Sequence, residues 1–433
     1  MKRLYLAPEA YFSSRGWFYG WVVVGVMFAN LFVVMGIRFS FGVVYVVLLE
    51  DTGWSRGATA SIFSVSMVVY ALAVTLSGAM LDRLGPRKLF PGAHLLMGVA
   101  LLLTSGTESL WGFYIYYGVL VGFSFSMLGF PTHMALVPRW FQRRRGLASS
   151  LALAGTGLGS LGITLLTKFL VVEFGWRVTF FIFGLLLIGV MIPLNLIFLR
   201  DAPEAVGQRV DGAKPVPAPT PGLAEPPGKP GLSKAGFTLG MAMRTPAYWL
   251  MFLGVTLLGV SMMTLVVHQT RLSVDLGYSL GLATTMFGLS GLGRTLGGFV
   301  FGPLSDHFGR ALCFAISGIF GVLGMVLLIL ARFSPEAYLL IGFVVLFAIG
   351  YNGITPVYAS ALSDLFPGRH LGKIMGALDI GFGLGSALGP WMAGALFDWR
   401  GNYDAMLGMM LVLSALTGVA FWLGTRLKPT LTA

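Results

Sequence analysis

Gly78-Ala-Met-Leu-Asp82-Arg83-Leu-Gly85-Pro-Arg87 returns as Gly302-Pro-Leu-Ser-Asp306-His307-Phe-Gly309-Arg310, 302 − 78 = 224 residues further on. A second pair keeps nearly the same offset. Trp140-Phe141-Gln-Arg-Arg-Arg-Gly146 leads into Ala154-Gly155-Thr-Gly157-Leu-Gly159-Ser. Leu365-Phe366-Pro-Gly-Arg369-His370-Leu-Gly372 leads into Ile380-Gly381-Phe-Gly383-Leu-Gly385-Ser, and 381 − 155 = 226. Two independent motifs at one offset describe a chain of two duplicated halves.

The halves are made for lipid. Of 433 residues, 56% are hydrophobic and 11% charged, where a soluble domain is nearer a quarter charged. Apolar runs long enough to cross ~30 Å at 1.5 Å per residue fall at 18–49, 57–81, 89–106, 110–138, 146–172 and 177–199. Six more fall at 247–274, 279–304, 311–331, 336–363, 371–397 and 402–425. The expectation is an all-α polytopic membrane protein: twelve spans in two pseudo-symmetric six-helix bundles, 18–200 and 246–426. An N-terminal segment (1–17), a proline-rich linker (201–245) and a tail (427–433) lie outside them. The linker, with prolines at 203, 215, 217, 219, 221, 226, 227 and 230, has too little apolar surface for a core and is expected to be flexible.

The net charge of +12 is a matter of topology. Of the 29 Lys and Arg, 21 fall in segments that would share one side of the membrane, among them Lys2, Arg3, Arg15, Arg83, Arg87, Lys88, Arg139 and Arg143 to Arg145. This positive-inside asymmetry puts both termini in the cytoplasm and removes the argument for nucleic acid. Cys313 is the single cysteine, and no Asn-X-Ser/Thr sequon occurs. A bacterial inner membrane is the expected location. The first apolar run is too long for a signal-peptide core and is taken as a membrane helix.

These motifs resemble the major facilitator superfamily. The Gly-x-x-x-Asp-Arg-x-Gly-x-Arg pattern after span two, repeated after span eight, is similar to that superfamily's signature. Four stretches resemble the monocarboxylate transporter group and its bacterial relatives, including the oxalate/formate antiporters: Tyr19-Gly20-Trp21-Val-Val-Val, Gly36-Ile-Arg38-Phe-Ser40-Phe41-Gly42, Trp140-Phe-Gln-Arg-Arg-Arg-Gly-Leu-Ala, and Gly293-Arg294-x-x-Gly297 running into Ser305-Asp306-x-x-Gly309. The resemblance implies the major facilitator fold, with a central cavity lined by spans one, four, seven and ten and opening alternately to each side. It also implies that Arg294 binds the substrate carboxylate. Three departures stand out. Eukaryotic members have an aspartate where this chain has Ser290, and a lysine in span one where the cation here is Arg38. Oxalate exchangers carry a lysine near the position of Asp379.

Arg294 also stands out without the resemblance. No acidic residue lies within ten positions of it, and a charge centred in a span costs at least ~2.5–3.5 kcal/mol. Its guanidinium can hold a carboxylate with two parallel hydrogen bonds; a structural pairing with a helix end or with Asp379 is the alternative. Asp379 is the one carboxylate deep in span eleven, at about the depth of Arg294, ~12–15 Å in at 1.5 Å per residue. It is the candidate proton carrier, with a static salt bridge as its rival. An aspartate rather than a lysine there favours a monoanion plus a proton over a dianion.

Further candidates for substrate contact are Arg38 in the outer half of span one, His268 in span seven, Asn30 and Asn352 as hydrogen-bond donors, and Phe347 with Tyr351 on the cavity wall. For His268 a satisfied packing role fits equally well, and Arg38 is alternatively part of an outer gate. Asp82, Arg83, Arg87, Asp306 and Arg310 are candidate gating residues at helix ends. The glycine rows at 155, 157, 159 and 381, 383, 385 follow no strand and are expected to serve helix packing rather than a nucleotide. Five scattered histidines make no metal pattern, and no cofactor motif appears.

The sequence therefore predicts a monomeric secondary transporter, not an enzyme, that moves a lactate- or pyruvate-like monocarboxylate with a proton. An organic-anion exchanger, or an exporter of a larger organic acid or drug, is the alternative; a substrate-sensing receptor on the same scaffold is remoter.

Overall fold

A computed structural model describes residues 17–212, 236–368 and 370–427. Lys2, Arg3, Arg15, Arg369, most of the proline-rich linker and most of the tail lie outside the described residues. What is described is helical, with no strand. Ten helices are long and apolar enough to cross a membrane. One of them, Arg145–Phe198, holds two spans, divided at Gly175 (φ 79°, ψ 169°). Leu280–Phe308, the helix of Arg294, is not among the ten, because its glycines and the arginine dilute its apolar character. Counting these, twelve spans are present among the described residues.

The described residues form two compact units. The first takes the chain up to Gly53 and from Val65 to residue 212; the second takes Trp54–Ser64 and everything from residue 236 onward. The start of span two, Arg56–Leu84, therefore packs with the second unit, not with the bundle of its own half.

The duplication appears in backbone detail. Gly85 (φ 72°, ψ 159°) and Gly309 (φ 88°, ψ 153°) hold matching left-handed conformations at the turns after spans two and eight. A side chain at either position would be strained. In the first unit span one lies against span five so closely that a Cβ on Gly159 would sit 2.1 Å from the Phe32 carbonyl oxygen. In the second, a Cβ on Gly385 would sit 2.0 Å from the carbonyl oxygen of Thr256 in span seven. Small residues let membrane helices approach this closely, so the glycine rows serve packing, as expected. Spans four and ten each contain eight residues of π-helix, Tyr114–Val121 and Val344–Tyr351.

The linker begins as structure rather than as free chain. Pro203–Val206 and Val210–Gly212 form short 3₁₀ turns. Asp201 accepts from the Arg87 backbone N–H at 3.1 Å, and Asp211 accepts from those of Gln142 and Arg143 at 2.8–3.1 Å. Expected flexibility thus does not extend to these dozen residues. Their carboxylates satisfy backbone donors at loop ends that helical hydrogen bonding leaves open.

Candidate functional site

Spans seven (Pro246–Asp275) and eight (Leu280–Phe308) start on side-chain caps: Thr245 accepts from the N–H of Tyr248, and Ser279 from that of Leu282. Each span then offers one helical face to a common pocket. Span seven gives Met262, Leu265, Val266 and Gln269; span eight gives Phe287, Ser290, Gly291 and Arg294. Both sets follow the i, i+3, i+4, i+7 spacing that defines one face of a helix. Span ten adds Phe347 and Asn352.

The irregularity of span ten decides which of its residues arrive there. Phe347 lies in the π-helix Val344–Tyr351, which passes into a 3₁₀ turn at Asn352–Ile354. In ordinary α-geometry Phe347 and Tyr351 would share a face. The wider i→i+5 turn instead brings Asn352 into line with Phe347. π-Segments of this kind often occur at functional positions. Tyr351 is fully buried, its ring in the space that a Cβ on Gly321 would fill and its hydroxyl beside Ser261, Ser414 and Thr417. It touches the Phe347 ring at 4.7 Å between centroids but is not part of the pocket lining. The expectation that Tyr351 faces the cavity is corrected on that ground.

The pocket's polar groups sit on one side of an apolar wall. The half-buried Arg294 brings the positive charge. Gln269 Nε2 donates to Ser290 Oγ at 3.3 Å, and Ser290 Oγ donates to the Met286 carbonyl at 2.9 Å. Asn352 Oδ1 is buried without a hydrogen-bond partner among the described residues. Among the described residues, no carboxylate belongs to the lining. Asp379 is elsewhere in the second unit, exposed on span eleven and within electrostatic reach of Tyr358.

Other candidates have different company. Asn30 donates to Asn195 Oδ1 at 2.9 Å and accepts from Asn195 Nδ2 at 2.8 Å, a reciprocal amide pair that joins spans one and six. Its amide is thereby engaged, and no ligand is needed to explain it. Arg38 is buried in the first unit, its guanidinium over Tyr70 (4.8 Å) and Phe125 (5.5 Å) and beside Met67 Sδ. His268 approaches the Pro390 carbonyl through Nε2 at 2.9 Å and the Tyr403 hydroxyl through Nδ1 at 3.0 Å. The carbonyl can only accept, so Nε2 carries the hydrogen, and a neutral imidazole then accepts from Tyr403 at Nδ1. His268 is thus a satisfied packing residue here.

The candidate gating residues form ion pairs. Asp82 meets Arg139 at 3.1 Å, and Arg310 joins Asp306 of its own turn to Asp364 of span ten. Arg83 is exposed at the end of span two, and the Arg87 backbone is held by Asp201. At the start of span two, Arg56 bonds Asp275, lies 3.5 Å above the Phe397 ring, and gives its backbone N–H to Asp398. This cluster of the second unit was not foreseen, since nothing near Arg56 in the chain announces partners more than two hundred residues away.

The model of the Major Facilitator Superfamily matches residues 26–270 and 247–432. The chain belongs to that family: it is a multi-pass membrane transporter, related to monocarboxylate transporters, and not an enzyme. Among its relatives is the uncharacterized MFS-type transporter YhjX of Escherichia coli (strain K12), 27% identical over 81% of this chain and 83% of that one. Monocarboxylate transporter 13 of Bos taurus is 26% identical over 92% of this chain and 87% of its own length. A solved bacterial homolog of the human lysosomal transporter Spinster superposes with a TM-score of 0.71 at 15% identity, covering 95% of this chain and 98% of that one. That likeness concerns the fold.

Proposed function

We propose that this transporter carries small monocarboxylates of the lactate or pyruvate type by proton symport with alternating access. The observation that carries the reading is the Arg294 pocket. A half-buried guanidinium there shares a small space with Gln269, Ser290 and Asn352, and Met262, Leu265, Val266, Phe287 and Phe347 form an apolar wall. A short organic acid matches this division: the carboxylate on Arg294, the carbon body on the wall, and a 2-hydroxyl or 2-oxo oxygen among the amides and Ser290. The relationship to a protein called a monocarboxylate transporter supports the same substrate class. Asp379, the carboxylate within span eleven, is the proposed proton carrier. Both termini would be cytoplasmic, in a bacterial inner membrane, and the monomer would suffice.

The test is uptake of labelled lactate into proteoliposomes with and without an acid-outside gradient. The parent should concentrate lactate only with the gradient, Arg294→Gln should lose uptake, and Asp379→Asn should lose the gradient's effect. Normal uptake by Arg294→Gln would end the substrate assignment.

A second reading, exchange of organic anions, is favoured by a pocket whose lining, among the described residues, holds Arg294 and no carboxylate. A cationic site that needs an anion before it can reorient is suited to exchange. Parent protein that performs lactate counterflow but no net gradient-driven uptake would select it.

A further inference from the structure

Arg56 begins span two, and its partners on spans seven and eleven belong, like Arg56 itself, to the second unit. Its guanidinium bonds the Asp275 carboxylate at the end of span seven, which also pairs with Arg271 at 3.0 Å. The same guanidinium lies 3.5 Å above the Phe397 ring and 4.9 Å above that of Tyr403. Asp398, at the end of span eleven, accepts from the backbone N–H groups of Arg56 at 2.9 Å and of Gly57 at 2.8 Å. Those are two of the donors that a helix start leaves open. The backbones nearly touch: a Cβ on Gly394 would sit 2.7 Å from the Arg56 carbonyl oxygen. By the count of spans, the start of span two and the ends of spans seven and eleven share the membrane face opposite the linker.

The duplicated half closes differently. Asp275 has its counterpart in Asp51 (275 − 51 = 224) at the end of span one. Asp51 accepts from Trp176 Nε1 at 2.8 Å and from Arg177 at 3.0 Å, both within the first unit. Asp275 instead takes an arginine from a helix that leaves its unit: span two is one helix, Arg56–Leu84, and from Val65 onward it belongs to the first unit. An unbroken helix can follow one unit but not both when they move against each other. Arg56 and Arg271 balance Asp275 and Asp398 in charge, and at a membrane face water can take up each group on release. Such a contact can open and close repeatedly. We propose that Arg56 is a latch, held by Asp275, Asp398 and Phe397 in one state of the transport cycle and released in the other, so that it controls opening of the face opposite the linker. This rests on the alternating access proposed above, and it involves neither Arg294 nor Asp379.

The experiment fixes the latch shut. A Cβ on Gly57 would lie 3.5 Å from the Ala395 Cα, within the reach of a disulfide, so Gly57→Cys and Ala395→Cys are combined in a Cys313→Ala background. Oxidised with copper phenanthroline, this carrier should lose lactate counterflow in proteoliposomes by at least about tenfold, a barrier change of ~1.4 kcal/mol, and regain it with dithiothreitol. Failure of the disulfide to form, or parental counterflow by the cross-linked carrier, would overturn the proposal. A second measurement needs no substrate. Ala395→Cys alone, half-buried at the contact, is labelled with a membrane-impermeant maleimide with and without Arg56→Gln. Loss of the latch should speed labelling several-fold, and an unchanged rate would also overturn it. A parent carrier that performs neither lactate uptake nor counterflow fails the substrate reading instead, and the labelling rates then decide on the latch by themselves.

Discussion

At the scale of single residues, the proposed transport would turn on Arg294 and on which polar groups are already engaged. A guanidinium offers two parallel donors to a carboxylate where an ammonium offers a point charge. Arg294→Lys should therefore keep transport but raise KM roughly tenfold, and Arg294→Gln should lower kcat/KM by about 100-fold, following the ~1.5–3 kcal/mol of a charge-assisted hydrogen bond. Initial-rate uptake against lactate concentration checks both. Asn30 is predicted to behave in the opposite way. Since its amide is closed on Asn195, Asn30→Ala strands a buried amide, and the loss should be ~1–3 kcal/mol of stability with KM unchanged. Leucine at both positions should restore most of it. Thermal melting in detergent, paired with KM, separates this from a substrate contact, which would move KM and leave the melting temperature alone.

At the scale of elements, close packing makes its own prediction. Gly385→Ala would place a Cβ 2.0 Å from the Thr256 carbonyl oxygen, while a Cβ on Gly408 meets nothing within 4 Å. The first substitution should therefore destabilise by ~1–3 kcal/mol as spans seven and eleven are forced apart; Gly408→Ala in span twelve should be neutral or slightly stabilising. Melting temperatures of the two variants test the contrast. The twelve spans, the duplication and the glycine rows were legible in the sequence, because each depends on local hydropathy or an offset; Arg294 and Phe347, which the sequence singles out, line one pocket. Gln269 and Met262 were legible in principle: stepping back from Arg294 by four and seven gives Ser290 and Phe287, and span seven presents an equivalent row. What fixes their meeting is the rotation of two helices about their axes, which no single span encodes. Asn352 was named from the sequence, but that Tyr351 does not line the pocket beside it was hidden for another reason. An apolar run does not announce a π-turn, and α-helical spacing counts one residue short within it.

At the scale of the whole molecule, the proposed symport makes charge balance the factor that would decide whether the carrier can reorient without cargo. Arg294 and Asp379 both belong to the second unit. Empty, with Asp379 ionised, the two contribute +1 and −1. Loaded with a monocarboxylate and a proton, Arg294 and the anion cancel while Asp379 is neutral. Both forms therefore carry no net charge from these groups, and neither faces the full cost of moving an uncompensated charge through a low-dielectric interior. Symport of one monoanion with one proton is then electroneutral. An imposed membrane potential at constant pH should leave the rate of lactate uptake unchanged, and collapse of the pH gradient should abolish accumulation. Asp379→Asn breaks the balance on one side only. Its loaded form remains neutral, but its empty form carries the uncompensated arginine and returns slowly. The variant should lose net uptake by at least about tenfold, the equivalent of ~1.4 kcal/mol in the barrier of the empty return, while lactate counterflow stays near the parental rate. Equal loss of both activities would mean that Asp379 acts on the fold or on substrate binding rather than on the return of the empty carrier.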